Sequence, residues 1–336
     1  MKIHFNFVGS SGFGHKKEEA DSEYHGLKQN ALRKNKNSTH MKAGLESVKE
    51  LKKLVGLENI KELVEEIIAF IKIQKKRELE GLATEPMVFH MIFKGNPGTG
   101  KTTVARLMGK LFKELGILEK GHINEVERAD LVGEYVGHTA QKTRDQIKKS
   151  LGGVLFIDEA YSLARGGVKD FGKEAIDVLV KAMEDYRNEF VLILAGYKAE
   201  MELFLNSNPG LRSRFPIQLE FADYSVEELF KIAKIMLEER QYRLSVEAEI
   251  KLKNVLKNAV SNGHCYDGNA RLVRNIIEKS IRAQALRLIN ENNFSREQLI
   301  YLQACDIEEL PSKIKNNNDN IIRVFETQKF AVSGGN

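Results

Sequence analysis

The chain has 336 residues, of which 42% are hydrophobic and 29% charged, enough for two domains and a sizeable core. Its 52 basic residues nearly balance its 47 acidic ones, and the mild formal charge of +5 neither demands nucleic acid, whose dedicated binders usually show a basic face or run, nor excludes it. Two cysteines, Cys265 and Cys305, are too few for a disulfide framework, and no apolar run approaches the roughly 18 residues needed to span a bilayer, so the expectation is a cytoplasmic protein without membrane insertion.

In chain order, residues 1–43 read as a flexible N-terminal arm, polar from about residue 10 onward. Ile60, Leu63, Val64, Ile67, Ile68 and Ile71 recur at helical spacing and predict a long amphipathic helix over about 57–80. "MVFHMIFK" (87–94) is a nearly continuous apolar run and predicts a strand buried on both faces. A helix over 101–114, a strand at "HINEVE", a helix over 139–150, a strand at "GVLFID", a helix over 173–186 and the strands "FVLILAG" and "PIQLEF" follow. Buried strands alternating with helices imply an α/β fold, a parallel sheet sandwiched by helices, over 44–222. Beyond Phe221 the pattern turns helical to about residue 290. Ser225 and Glu228 stand in capping-box register at its start. This predicts a small all-α domain over 223–310, with 311–336 as a C-terminal tail.

"GNPGTGKT" (95–102) matches the phosphate-loop pattern G-x-x-x-x-G-K-[ST] directly after a predicted strand and at the opening of a helix. In that setting Asn96, Pro97, Gly98, Thr99 and Gly100 wrap the phosphates, with backbone N–H groups pointing at the phosphate oxygens from every one of them but Pro97, which has none, and the helix N-terminus adds its dipole. Lys101 supplies a charge to the β- and γ-phosphates, the Thr102 hydroxyl ligates Mg2+, and Thr103 completes the nucleotide-binding set. A decoy at "GSSGFGHK" (9–16) places His15 where the lysine belongs and lacks the hydroxyl. "VLFIDE" (154–159) ends a predicted strand in Asp158, which holds the magnesium directly or through water, and Glu159, which polarises the attacking water. These residues predict an ATPase that uses ATP/ADP and Mg2+. His264 beside Cys265 has no second cluster at ligand spacing, so a zinc site is not expected.

The run from about Leu54 to Leu286 resembles an AAA+ ATPase of the CbxX/CfxQ branch. The likeness lies in "HMIFKGNPGTGKTTVAR", "ADLVGEYVGHTAQKTRD", "LFIDEAYSL", "ILAGYKAEM" and "NPGLRSRFP", in that order. The stretch "KSLGGVLFIDEAYSLARGGVKDFGKEAID" is most similar to sporulation members of the branch. The resemblance implies that the helical domain is a lid, that Val55 and Gly56 lie near the adenine, and that an arginine of "LRSRFP" reaches the neighbouring subunit's ATP. Arg214 is preferred over Arg212 for that finger. "GNARLVRN" resembles a second sensor, with Arg271 preferred over Arg274. Where many AAA+ chains carry a polar sensor after "VLILAG", this one has Tyr197, which either holds water or packs.

By the same resemblance, the chain is expected to form a homo-oligomer, a hexameric ring, that remodels or partly threads a protein client through a central pore. "DLVGEYVGH" (130–138) would be the first pore loop, with Tyr135 and Val136 gripping the client and Gly133 and Gly137 as hinges. Residues 162–175 would form a second. A ring acting on DNA and an ATP-switched scaffold are the alternatives. The absence of lysine or arginine between Glu134 and Lys142 weighs against nucleic acid.

Overall fold

The computed structural model describes residues 45–84, 87–135, 137–165, 170–207, 209–263, 268–289 and 294–310. The chain divides into two compact units, one of residues 1–232 with 265–274, the other of 233–264 with 275–336.

In the first unit, α1 (Glu46–Lys53) and α2 (Glu58–Leu79) precede β1 (Met91–Gly95), α3 (Lys101–Glu114) and β2 (Ile123–Val126). The short α4 (Arg128–Leu131), α5 (His138–Ser150) and β3 (Val154–Ile157) follow, then a 3-10 turn over Ala160–Ala164. Next come α6 (Gly172–Asp185), β4 (Val191–Gly196), α7 (Lys198–Ser207), α8 (Pro209–Arg214) and β5 (Ile217–Phe221). The five strands form one parallel sheet in the order β2-β3-β4-β1-β5. Every residue of β1, β3 and β4 is buried, which is why their sequences run apolar without alternation.

Alternate strand residues feed two separate cores. Met91, Phe93, Val154, Phe156 and Ile193 pack with α2 and α3 on one face. Ile92, Leu155, Ile157, Leu192 and Leu194 pack with α5, α6 and α7 on the other. Each such side chain contributes roughly 1.5–3 kcal/mol on burial, so both faces are driven shut.

The strand expected from residue 87 begins only at Met91. Its neighbour explains part of this: the Leu192 N–H donates to the Nδ1 of buried His90 at 3.0 Å, a side chain standing where a backbone ladder would start. Accepting at Nδ1 fixes the neutral imidazole. Burial depresses its pKa to about 4, opposed by the Met183 backbone and helped by Arg187, and Nε2 is buried without a hydrogen-bond partner.

α9 (Val226–Glu238) opens on the expected capping box. The Ser225 N–H donates to Glu228 Oε2 at 2.8 Å, and the Glu228 N–H donates to Ser225 Oγ at 3.3 Å.

The second unit contains α10 (Val246–Ser261), capped by Ser245 Oγ accepting from Ala248 N–H at 3.2 Å. It also holds most of α11 (Asn269–Ile289), and α12 (Arg296–Ile300). The expectation of helix alone is corrected by a two-residue parallel ladder, β6 (Arg243–Leu244) with β7 (Tyr301–Leu302). Two residues carry no readable strand period, and this ladder is fixed by distant partners. Buried Gln284 donates to the carbonyls of Gln298 at 2.9 Å and Tyr301 at 3.0 Å. Arg287 clasps both oxygens of buried Asp306 at 2.9 Å each.

Candidate active site

The site forms at the carboxyl ends of the strands, where β1 lies between β4 and β5 and the strand order reverses, the usual ligand crevice of an open α/β sheet. Register sets the spacing of the loops. Ile157 pairs Leu194, Lys94 pairs Gly196, and Gly95 pairs Phe221, so the segments leaving β3, β4, β1 and β5 emerge side by side.

Residues 96–100 form a half-buried turn between β1 and α3. Gly98 and Gly100 adopt φ of 72° and 98°, which side chains resist. At Gly98 space is also missing, because a Cβ would lie 2.1 Å from the Gly268 carbonyl and 3.0 Å from the Arg271 nitrogen. The loop is braced by its own groups: Thr99 Oγ1 donates to the Asn96 carbonyl, and Lys101 Nζ donates to the carbonyls of Gly95 and Asn96, each at 2.8 Å. Burial lowers the Lys101 pKa, opposed by the Asp158 carboxylate, lowered further by Arg271, and opposed again by Asp223 and Glu159. Four charged side chains therefore converge on the lysine that sequence assigned to the phosphates. A triphosphate in this cradle would supply the charge that a buried ammonium lacks.

Asp158 and Glu159 leave β3 beside that lysine. Glu159 is exposed and left-handed, at φ 46° and ψ 42°, and its N–H donates to Asp158 Oδ1 at 2.9 Å. A non-glycine residue there stores about 1–2 kcal/mol of strain, a common feature of functional positions. Thr102 is partly buried in the first turn of α3 and Thr103 is exposed. A hydroxyl and one carboxylate are a donor set that suits Mg2+, which retains waters and phosphate oxygens for its other positions.

On the expected adenine side, Val55 is partly buried and Gly56 turns the chain at φ 65°. A Cβ on Gly56 would meet Glu228 Oε1 at 2.4 Å and Tyr224 at 3.4 Å, so this turn lies against the start of α9. Tyr224 in turn donates its hydroxyl to the Thr99 carbonyl at 3.1 Å. Arg271, at the start of α11, is close enough to influence Lys101, whereas Arg274 is not among the groups that do so.

The two finger candidates differ. Arg214 is half-buried, donates Nη1 to the Gly210 carbonyl at 2.8 Å and pairs through Nη2 with Glu184. Arg212 is exposed, with Asn206 Oδ1 at 3.2 Å and Glu202 4.0 Å away. Tyr197 packs its ring 6.0 Å from that of buried Tyr161, which closes over Gly196. Burial, and then the Glu159 charge, raise the Tyr161 hydroxyl to about 12.

The Tyr135 loop stands apart from these groups. Tyr135 is 66% exposed and touches His138 edge-on at 5.5 Å. Val136 lies outside the described residues, as do His264, Cys265, the decoy at 9–16 and residues 166–169 of the second pore-loop candidate. The flanks of that second loop are tied down: Arg128 donates to the Ser162 carbonyl and to Asp170 Oδ1, each at 2.5 Å. The paired-hinge expectation for the first loop needs correction. Gly137 has φ 82° and open space around it, but Gly133 has no positive φ and would place a Cβ 2.5 Å from that of His138. Gly133 serves close approach.

Asp223, Tyr224, Asn269 and Tyr161 were not singled out by sequence. Asp223 and Tyr224 follow β5 directly, and only the strand order brings that strand end to the phosphate loop.

Comparison with known proteins agrees with this geometry. A model of the ATPase family associated with various cellular activities (AAA) matches residues 91–223, and a model of the AAA lid domain matches 225–317. Stage V sporulation protein K of Bacillus subtilis (strain 168) is 58% identical over 290 residues, 86% of this chain and 88% of that protein. Protein CbbX of Cereibacter sphaeroides is 46% identical over 72% of this chain and 78% of its own length. The chloroplastic ribulose bisphosphate carboxylase/oxygenase activase of Cyanidioschyzon merolae (strain NIES-3377 / 10D) is 43% identical over 76% and 88%. Among solved structures, a Thermotoga maritima RuvB variant superposes with a TM-score of 0.50 at 20% identity, over 76% of this chain and 68% of that one, and speaks to the fold alone. With a phosphate loop, an Asp-Glu strand end and a following lid sequence in one frame, this chain is an AAA+ ATPase of the group that contains stage V sporulation protein K and the CbxX/CfxQ proteins.

Proposed function

We propose that this ATPase assembles into a homo-oligomeric ring, a hexamer, and uses ATP turnover to remodel or partly thread a protein client through its central pore. In this reading Asn96 to Thr103 and Lys101 hold the triphosphate, Val55 and Gly56 border the adenine, and Thr102 and Asp158 ligate Mg2+. Glu159 polarises the attacking water, Arg271 senses the phosphate, and Arg214 of one subunit completes the site of the next. The 58% identity to a Bacillus subtilis sporulation protein directs the search for the client to sporulation, in the cytoplasm. Among the described residues no helix is long and apolar enough to cross a membrane.

The observation that carries the reading is Tyr135. A tyrosine 66% exposed at the tip of a loop is unused by its own core. Both feet of that loop are pinned: the Gly133 N–H donates to Thr139 Oγ1 at 2.9 Å, and Lys142 Nζ reaches the carbonyls of Ala129 and Val132 at 3.3 Å. A firm base under an exposed ring suits gripping a polypeptide. Lys142, the first lysine or arginine after Tyr135, is engaged with the carbonyls of Ala129 and Val132, which favours a protein client over nucleic acid.

Rings of Glu159→Gln held in ATP should retain the client for identification. With that client in hand, Tyr135→Ala should keep basal ATP hydrolysis and lose client processing. Loss of both together would assign the ring to packing and sink the grip.

A further inference from the structure

Between the phosphate loop and Arg271 lies a polar cluster, buried at Asn269 and exposed at Asp223, that binding and hydrolysis of ATP do not by themselves require. At its centre is Asn269, fully buried and left-handed at φ 38°. Its Oδ1 accepts the Tyr224 N–H at 3.0 Å, and its Nδ2 donates to Asp223 Oδ1 at 2.7 Å and to the Pro97 carbonyl at 3.3 Å. Asp223 also accepts from Asn96 Nδ2 through both oxygens, at 3.0 and 2.9 Å. One residue on, the Ala270 N–H donates to the Gly98 carbonyl at 3.2 Å. Three successive loop residues, Asn96, Pro97 and Gly98, are thus each bonded either to the Asp223–Asn269 pair or to the helix start that Asn269 forms.

We infer that Asp223 and Asn269 are a positioning pair that reads the shape of the phosphate loop and sets the aim of Arg271, so that discrimination between ATP and ADP runs through them. It rests on the reading of Arg271 as the phosphate-sensing residue.

The chemistry supports the direction of coupling. Lys101 Nζ donates to the carbonyls of Gly95 and Asn96. A γ-phosphate competes for that ammonium, and the peptide groups of 95–97 must then find other partners. Asn96 and Pro97 hand any such change directly to Asp223 and Asn269. Arg271 lies two residues along the same helix, so a small rotation at its left-handed first residue redirects the guanidinium. Burial makes the Asn269 end of the link stiff, because no water stands ready there to replace a broken bond, and exposed Asp223 holds Asn96 through both carboxylate oxygens.

The test uses the full chain with Mg2+, measuring kcat and the dissociation constants of ADP and a non-hydrolysable ATP analogue. Asn269→Gly keeps the left-handed backbone and deletes the side chain, Asp223→Asn is isosteric, and Arg271→Ala supplies the reference. Asn269→Gly should lower kcat about 10-fold and narrow the ATP-to-ADP affinity ratio to that of Arg271→Ala, a size common for coupled sites. The double variant Asn269→Gly with Arg271→Ala should be no worse than Arg271→Ala alone, because the pair acts through the arginine. Multiplying losses, or equal weakening of both nucleotides, would overturn the pair while leaving Arg271 in place. Wild-type turnover in Arg271→Ala would sink the sensor reading and the pair with it. If Asn269→Gly does not fold, Asp223→Asn alone and with Arg271→Ala decides by the same criteria.

Discussion

The phosphate loop, between β1 and α3, and the Tyr135 loop, between α4 and α5, are both glycine-containing connections, yet they are built in opposite ways. The phosphate loop is half-buried and braced along its length: Asn96, Thr99 and Lys101 are hydrogen-bonded, and Gly98 has a neighbour's carbonyl where a side chain would go. The Tyr135 loop is pinned at its feet and open at its tip, where Gly137 meets nothing within 4 Å. A loop that must hold one ligand shape is over-determined. On the proposed function, the second loop meets many client side chains, and it is fixed only at its base. Gly98 of the first loop serves close approach and a positive φ together, whereas in the second the two uses divide between close approach at Gly133 and conformational freedom at Gly137.

The largest expected effect lies outside both loops. Arg214 is tied within its own subunit to Gly210 and Glu184. If it completes a neighbour's site, Arg214→Ala should cut kcat by about 10³- to 10⁵-fold while ATP binding survives, by analogy with fingers that stabilise transferring phosphoryl groups. The same loss in Arg212→Ala, with Arg214→Ala unaffected, would reassign the finger.

Within the phosphate loop, Gly98→Ala should weaken ATP binding by about 10- to 100-fold, corresponding to about 1–3 kcal/mol of overpacking. Titration calorimetry would read it, and near-wild-type affinity would show that the loop is less confined than its geometry implies.

At the opposite end of β1, His90 tests whether the same strand is held as tightly away from the site. Its pKa is about 4 when folded, against 6.5 unfolded. The unfolded chain therefore binds the proton first. The stability this group contributes is fully present above about pH 6.5 and is lost as pH falls towards 4, by on the order of 3 kcal/mol in total. Denaturant melts at pH 7 and pH 5 should show a steeper loss in the wild type than in His90→Phe; equal slopes would mean the imidazole is solvated.

The smallest effect separates the two glycines of the open loop. Gly137→Ala strains a left-handed residue without a clash and should cost about 1–2 kcal/mol of stability at most. Gly133→Ala must displace His138 and should disturb client processing more. The reverse order would restore the hinge assignment of Gly133.

Much of the fold was legible because its strands are buried on both faces and its helices on one, and each habit leaves its own period in the sequence. The phosphate loop was legible for a related reason: wrapping backbone around a phosphate demands glycines at fixed offsets. The first ladder residue of β1 was not, because a side chain from His90 takes the neighbouring N–H. Nor was the β6–β7 ladder, whose two-residue strands are held by Gln284 and by the surroundings of Asp306.

By itself the sequence determined the α/β class, the helical second domain, the nucleotide chemistry and the residue types at its centre. These follow from local rules, in which each residue's meaning depends on neighbours a few positions away. Tertiary structure alone decided which distant segments meet. Strand order placed β5 beside β1 and so brought Asp223 and Asn269 to the phosphate loop, across separations of more than a hundred residues. Packing likewise decided that Gly133 is crowded and Gly137 free, a difference that two identical letters cannot carry.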